Sequence, residues 1–425
     1  MKKIKLCLLA ALVSAAFVAC KNGDGEARTD TIKMYRWDRI PPAEGENVQP
    51  GLAGAFSGVV GNTLLIAGGA NFPDGMPWRE GKKRWHDRLY AKNLDNGRWR
   101  ECPGVFPRPL AYGVSFTIPQ GVLCIGGCDA RQAYADVFVL TCRDGEIRRQ
   151  DWPSLPAPLS NMCGAVVDGV VYLAGGQDNM EAPQALPVFY ALDTKNVSKG
   201  WQSLPSWPGS PRGYAVAASQ SDGVDNCFFL FSGRDYGPGR ETRPLTDAYK
   251  YNPRTKHWTR LDEVGRFSVM AGTAFATGAA HIMLIGGSDN QSVIRENALR
   301  KKIEEFSVSS LLGWEDSMDV VKAQLIDLLD HHPGFGDKVF AYHTTTNSFF
   351  EFGATGISIP VTTNIVKNGE EYLITSGEVS PGIRTSDIYG MSIVFPKRSI
   401  GMFNWIIIVI YFAILLFMGF FFARR

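Results

Sequence analysis

The chain has 425 residues, with 44 Lys and Arg against 42 Asp and Glu and a formal net charge of +2. That balance provides no basic field for nucleic acid. None of the eight cysteines forms a CxxC pair and the six histidines show no zinc spacing, which excludes the common zinc modules and gives no metal site.

Residues 1–20 read as a secretory signal. Lys2, Lys3 and Lys5 form the basic region, and residues 6–18 the apolar core. Phe17-Val18-Ala19-Cys20 resembles a bacterial lipobox, which makes Cys20 the expected lipidated first residue of the mature chain. Phe17 stands where Leu is usual, and an ordinary signal cut nearby is the alternative. Residues 21–31 are polar and read as a tether.

Between 32 and 396, an apolar run ends six times in a Gly-Gly or Ser-Gly pair: Gly68-Gly69, Gly126-Gly127, Gly175-Gly176, Ser232-Gly233, Gly286-Gly287 and Ser376-Gly377. In three units a Trp follows the first residue of the pair by the same 26 residues: Trp152, Trp201 and Trp258. A repeat of roughly 40–50 residues with four strand-like segments marks a β-propeller, and the glycine pair with a later Trp is the kelch style of blade. The predicted fold is therefore all-β, a six-bladed kelch-type propeller.

Each unit has the same order. A strand of small residues comes first, such as Ala111-Tyr112-Gly113-Val114-Ser115, because innermost strands crowd around the axis. A continuous apolar strand follows and ends at the pair, where Gly permits a bend and close approach that a Cβ blocks. A third strand starts after an Asp in several units: Asp87, Asp136, Asp247 and Asp387. The fourth carries the Trp, which fills the gap between blades.

Two units depart from this spacing. In the first, Trp99 lies 31 after Gly68, an insertion of about five residues. In the fifth, Phe350 stands where Trp is expected, 64 after Gly286. The inserted stretch, about 290–329, is charged and helix-patterned and reads as an excursion over one end of the channel. The sixth unit has no fourth strand of its own. Lys33-Met34-Tyr35-Arg36-Trp37-Asp38-Arg39-Ile40 matches that strand and is expected to complete the last blade, closing the ring and removing open sheet edges.

Residues 400–423 carry no charge and are long enough to span a membrane. Lys397 and Arg398 on one flank balance Arg424 and Arg425 on the other, so charge alone sets no orientation. The signal exports the propeller, which puts the C-terminus inside. After removal of Cys7 and Cys20, the remaining Cys102, Cys124, Cys128, Cys142, Cys163 and Cys227 read mostly as small core residues, with some pairing open in an oxidising compartment.

Gly377-Glu378-Val379-Ser380-Pro381-Gly382-Ile383-Arg384-Thr385 resembles the G-E-x-x-P-G-x-R-T segment of the periplasmic N-acetylneuraminate epimerases, or sialic acid mutarotases. Gly68-Gly69-Ala70-Asn71-Phe72, Arg108 with Ala111-Tyr112-Gly113-Val114-Ser115, and Pro211-Arg212 agree with the same family. The segments that end the familiar chain begin this one, as in the cyclically permuted mutarotase branch. The stretch from Phe403-Asn404-Trp405 to Arg424-Arg425 resembles the first transmembrane helix of sodium/solute symporters, to which permuted mutarotases are found joined. Either a transporter continues in another chain, or a remnant serves as an anchor.

The resemblance implies mutarotation of N-acetylneuraminate, from the α to the β anomer, in support of uptake, without metal or nucleotide cofactor. It places the protein on the periplasmic face of the inner membrane, held by the C-terminal helix and the Cys20 lipid. A base must take the anomeric hydroxyl proton and an acid must protonate the ring oxygen. The family's proton acceptor maps onto Glu378. Arg384, across a Pro-Gly turn, presents a planar fork for a carboxylate or braces Glu378 as an ion pair. Arg108 and Arg212 open blades, where they contact the ligand or tie one blade to the next. Arg234 and Asp235 follow the Ser232-Gly233 bend, and Asn71 and Gln177 are read as equivalent positions after the glycines, all as candidate substrate contacts. His86 reads as structural and Tyr112 as core. The rival readings are a non-catalytic acidic-sugar binding domain feeding a symporter, which keeps the arginines without needing Glu378, and a protein-interaction platform, which needs no polar channel. A sialidase would carry a Ser-x-Asp-x-Gly-x-x-Trp turn, absent here. Copper oxidases need a Tyr and His ligand set that six scattered histidines do not suggest.

Overall fold

The computed structural model describes residues 31–261, 268–288, 290–308, 315–394 and 402–423. The signal with Cys20, the tether up to residue 30, and the flanking charges Lys397, Arg398, Arg424 and Arg425 lie outside the described residues.

Six four-stranded antiparallel sheets form the blades. Blade 1 contains Phe56–Val60, Thr63–Ala67, Leu89–Asn93 and Trp99–Glu101. Blade 2 contains Val114–Ile118, Gly121–Ile125, Val137–Arg143 and Glu146–Asp151. Blade 3 contains Cys163–Val167, Val170–Ala174, Phe189–Asp193 and Gln202–Ser203. Blade 4 contains Val216–Ser221, Asn226–Phe231, Ala248–Asn252 and His257–Arg260. Blade 5 contains Thr273–Thr277, His281–Ile285, Lys338–His343 and Ser348–Ala354. Blade 6 contains Ile365–Asn368, Glu371–Ser380 and Ile383–Val394, and Thr31–Arg39 from the N-terminus is its outermost strand.

The core lies in layers between blades rather than at the axis. Phe56, Leu65 and Leu89 of blade 1 pack on Val122, Cys124 and Phe138 of blade 2, and corresponding layers join blades 2 and 3, 3 and 4, and 4 and 5. The closing layer joins Leu373 and Ile388 of blade 6 to Leu64 and Ile66 of blade 1.

The glycine pairs sit where neighbouring blades touch. A Cβ on Gly68, Gly126 or Gly175 would lie 2.2, 2.4 or 2.2 Å from the carbonyl oxygen of Leu110, Leu159 or Arg212 in the next blade's entry segment. The two Ser-Gly pairs make that junction differently. Ser232 Oγ accepts the amide of Val269 at 3.1 Å, and Ser376 Oγ accepts the amide of Leu52 at 2.8 Å. The hydroxyl thus supplies a hydrogen bond that offsets the strain of a non-glycine residue at φ +54° or +69°.

Repeat tryptophans link outer strands. Trp201 Nε1 donates to Pro153 O and Trp258 Nε1 to Pro205 O, both at 2.9 Å. In blade 1, Trp99 Nε1 donates to Asp38 of the N-terminal strand at 3.0 Å. Two spacing arguments need correction. Trp258 lies within its outer strand, whereas Trp152 follows Glu146–Asp151, so the common 26-residue step combines unequal loops. In blade 5 the place of Trp258 opposite Tyr251 is taken by Phe349 opposite Tyr342, while Phe350 is 41% exposed.

The blade 5 insertion forms helices α1 (Asn290–Val308) and α2 (Glu315–Asp330). Leu299 of α1 and Val321, Leu325 and Leu329 of α2 pack with Trp78 of blade 1. The indole of Trp78 and the guanidinium of Arg79 both donate to the Asp330 carboxylate. At the other side, Asn297 of α1 donates to Thr242 O on a blade 4 hairpin. The six cysteines expected in the core are free thiols; five are buried and Cys142 is half-buried. A separate helix, α3 (Met402–Ala423), is long and apolar enough to cross a membrane over Asn404–Ala423.

Candidate active site

Each blade contributes one residue to a closed circuit of backbone hydrogen bonds at the channel mouth. Gly54 N donates to Thr362 O, Thr362 N to Ala271 O, Ala271 N to Tyr214 O, Tyr214 N to Asn161 O, Asn161 N to Tyr112 O and Tyr112 N to Gly54 O, over 2.6–3.0 Å. All six are left-handed, with φ between +47° and +65°. Five are not glycine, and an isolated residue in that region costs on the order of 1–2 kcal/mol. The circuit over-determines the conformation. Gly54 has a further reason to be glycine, since a Cβ there would lie 2.6 Å from the Tyr112 ring. From this circuit the innermost strands enclose a channel of about 380 Å³.

The residue before each circuit member pairs with the residue directly after a glycine pair. Five of these contacts are β-bridges: Ala53 with Ala70, Ala111 with Cys128, Ser160 with Gln177, Gly213 with Arg234, and Val361 with Glu378. In blade 5, Ser288 N donates to Met270 O. Six equivalent slots around the axis therefore hold a methyl, a thiol, an amide, a guanidinium, a hydroxyl and a carboxylate. Arg234 and Glu378 are the two charged members, two blades apart.

Glu378 lies opposite Arg384 in the blade 6 hairpin. Its Oε1 accepts the Gly382 amide at 2.8 Å and lies 3.4 Å from Arg384 Nη1. Its Oε2 has a long contact, 3.4 Å, from the Thr362 hydroxyl, so Oε2 is the freer oxygen. The Glu378 side chain is 17% exposed and that of Arg384 3%. Arg384 Nε and Nη1 and Arg234 Nε are buried without a hydrogen-bond partner in the described structure. The Arg384 guanidinium lies 4.6 Å from the Phe72 ring centroid, and that of Arg234 lies 4.2 Å from Tyr214 and 5.1 Å from Tyr236.

The other predicted contacts fall elsewhere. Arg212 is fully buried, bound to Asp247 and to Ser232 O. The charge of Arg212 overcomes the effect of burial and holds the Asp247 carboxyl below the usual range. Arg108 pairs with Asp136 at 3.5 Å and lies against the Tyr134 ring. These arginines tie a blade's entry segment to the start of its third strand. Asp235 pairs with Arg240 and Arg243 on its own hairpin. Gln177 holds a slot beside Arg234 and accepts the Tyr236 hydroxyl at 2.7 Å. Asn71 is not its equivalent, since Ala70 is. Asn71 is buried, donates to Gly51 O and bonds His86, and burial pushes the His86 pKa down.

Three groups at the mouth escaped sequence reasoning. Tyr112, expected in the core, is half-buried in the circuit, and Tyr214 occupies the equivalent place two blades on. Lys83 directly precedes Arg84–Trp85 of the short blade 1 hairpin with Ala70–Asn71, in the long loop between the glycine pair and Leu89–Asn93. Its ammonium lies 5.0–5.5 Å from the ring centroids of Phe72, Trp85 and Tyr112.

The site thus combines one carboxylate with three cations and an aromatic wall, an arrangement suited to an anionic ligand and to proton transfer at one carboxyl oxygen. The family model described as N-acetylneuraminate epimerase matches residues 19–148 and 152–398. An N-acetylneuraminate epimerase of Haemophilus influenzae (strain PittEE) is 26% identical over 245 residues, which cover 56% of this chain and 59% of that protein. One from Salmonella enteritidis PT4 (strain P125109) is 39% identical over 140 residues, 28% of this chain and 36% of that protein. The chain thus spans less than two thirds of the length of these relatives. With the family model matched over most of its length, the chain belongs to the N-acetylneuraminate epimerase family.

Proposed function

We propose that the protein interconverts the α and β anomers of N-acetylneuraminate, with Glu378 as the proton-transfer residue. The observation that carries this is the pairing of Glu378 with Arg384 at a channel-mouth slot, with Oε1 held and Oε2 comparatively free. The names of the relatives supply the sugar.

In this reading, Glu378 Oε2 takes the proton from the anomeric hydroxyl. The bond between the anomeric carbon and the ring oxygen breaks with its electron pair going to the ring oxygen, which takes the proton back from the Glu378 carboxyl, leaving a ketone and the carboxylate restored. Rotation about the adjacent carbon–carbon bond presents the other carbonyl face, and the reverse steps close the ring. Arg384 and the Gly382 amide hold and aim the carboxylate, and guanidinium charge near the anomeric carbon damps the negative charge that develops there. Arg234 and Gln177 face the same mouth as substrate contacts.

The signal-like residues 1–20, the lipobox-like run ending at Cys20 and the apolar helix α3 support a place on the periplasmic face of the bacterial inner membrane, where the reaction would serve sialic acid uptake. A sodium/solute symporter in another chain is the corresponding partner.

The test is proton NMR of freshly released α-N-acetylneuraminate with the purified protein and with Glu378→Gln. Faster appearance of the β anomer with the wild type, lost in the variant, is expected. A wild-type rate equal to the uncatalysed one would overturn the catalytic reading. Tight binding without acceleration would favour a receptor domain instead.

A further inference from the structure

Lys83 forms no ion pair among the described residues, although it sits deep in the mouth. Aromatic faces attract a cation but leave its charge uncompensated. Lys83 and Arg384 both lie against Phe72, and Lys83 also lies against Tyr112 of the circuit. Arg384 already has a counter-charge in Glu378 at 3.4 Å. Burial works against the Lys83 charge, but the neighbouring Tyr112 and Tyr214 outweigh it and hold its pKa above the ordinary lysine value. Arg234, on the blade 4 side, likewise has no ion pair among the described residues, but the flank between Lys83 and Arg384, over Tyr112 and Phe72, is the part of the unmatched positive charge that lies beside Glu378.

We propose that Lys83 binds the carboxylate of the acidic sugar, while Arg384 chiefly holds Glu378. This assignment rests on the reading of the mouth as an acidic-sugar site. It gives the long loop between the second and third strands of blade 1 a function: it places a cation on the same Phe72 ring as Arg384 of blade 6. Because the sugar's carboxylate is attached to the anomeric carbon, an ammonium that holds it also fixes where the anomeric hydroxyl meets Glu378. No bond to the sugar is made or broken by Lys83, so it is a binding and positioning residue.

The experiment compares N-acetylneuraminate with its uncharged methyl ester by calorimetry, using the full chain as wild type, Lys83→Met and Lys83→Arg. The wild type is expected to prefer the acid by about tenfold or more, the scale of one hydrogen bond between charged groups. Lys83→Met should weaken acid binding to near that of the ester and leave ester binding unchanged. Lys83→Arg, which keeps the charge, should retain most of the preference. An undiminished preference in Lys83→Met, or equal weakening of both ligands, would overturn the assignment, since a packing role moves both alike. Binding of the acid without faster mutarotation would overturn the catalytic reading alone and leave the acid–ester comparison intact. No binding of the acid by the wild type would overturn both.

Discussion

The amide of Gly382 donates to Oε1 of Glu378 at 2.8 Å, so the turn that brings the chain back to Arg384 also fixes the carboxylate. Gly382 is left-handed at φ +74°, and a Cβ there would meet Pro77, Met76 and Trp78 of blade 1 at 3.0–3.1 Å. Gly382→Ala should shift the turn, release Oε1 and lower kcat about tenfold or more with a smaller change in KM. Progress curves of anomer conversion at several sugar concentrations check this; an unchanged kcat would remove the turn from the mechanism.

Arg212, fully buried, pairs with Asp247, whose side chain is 20% exposed, in the entry to blade 4. Removing one partner of a fully buried pair costs about 3–5 kcal/mol, an upper bound for this partly exposed one. Arg212→Met should therefore lower the denaturation midpoint strongly. The surviving folded fraction should retain the wild-type preference between acid and ester.

The same pair sets an acid limit. The Asp247 carboxyl is depressed in the folded protein, so its stabilisation is fully present above the unfolded carboxylate value of about 3.9. It is lost as pH falls from there through the lower folded value. Melting temperature measured against pH should drop over that range, and Asp247→Asn should flatten the drop while lowering stability at neutral pH.

Ser376 joins the last blade to the first by accepting the Leu52 amide. Ser376→Ala leaves that buried donor without a partner, at a cost of about 1–3 kcal/mol. Urea unfolding should show the loss, and Ser232→Ala should show a similar one at the blade 4 to blade 5 junction, where Val269 is the donor.

Trp78 joins the helical insertion to blade 1 through packing and its bond to Asp330. Trp78→Ala should speed hydrogen exchange in Glu315–Asp330 while the blade strands keep wild-type protection. Equal rates in α2 would mean that the insertion is held by other contacts.

The blade count, the borrowed strand and the insertion were legible because each follows from a local constraint. At Gly68, Gly126 and Gly175 a carbonyl of the next blade lies where a Cβ would be, while the two Ser-Gly units meet the same junction with a hydroxyl, so the pair marks each unit even where the first glycine is replaced. Spacing was a weaker guide. Trp152 and Trp258 share a step from their pairs but not a place in their blades, because a longer loop after the pair in blade 4 offsets a shorter hairpin. Phe349 and Phe350 were indistinguishable without the strand register that sets which side chain faces the core. Glu378 and Arg384 stood out through a motif. Lys83 could not, since a lysine in a loop has no spacing signal and its meaning comes from rings contributed by distant segments. Arg108 and Arg212 were placed at the correct end of the blades, but the aspartates that engage them are set by the fold.

The N-terminal strand and Ile383–Val394 are neighbours in blade 6. Ile40 bonds Ser386 near the mouth, whereas Tyr35 reaches Glu371 at the far side of the blade. Within the blade, the two strands therefore run from the mouth, beside Glu378, at Ile40 and Ser386 to the far side at Tyr35 and Gly390. The strand that closes the ring is thus anchored at the mouth end by Ile40 and at the far end by Tyr35, so the closure is fastened along the whole height of the blade.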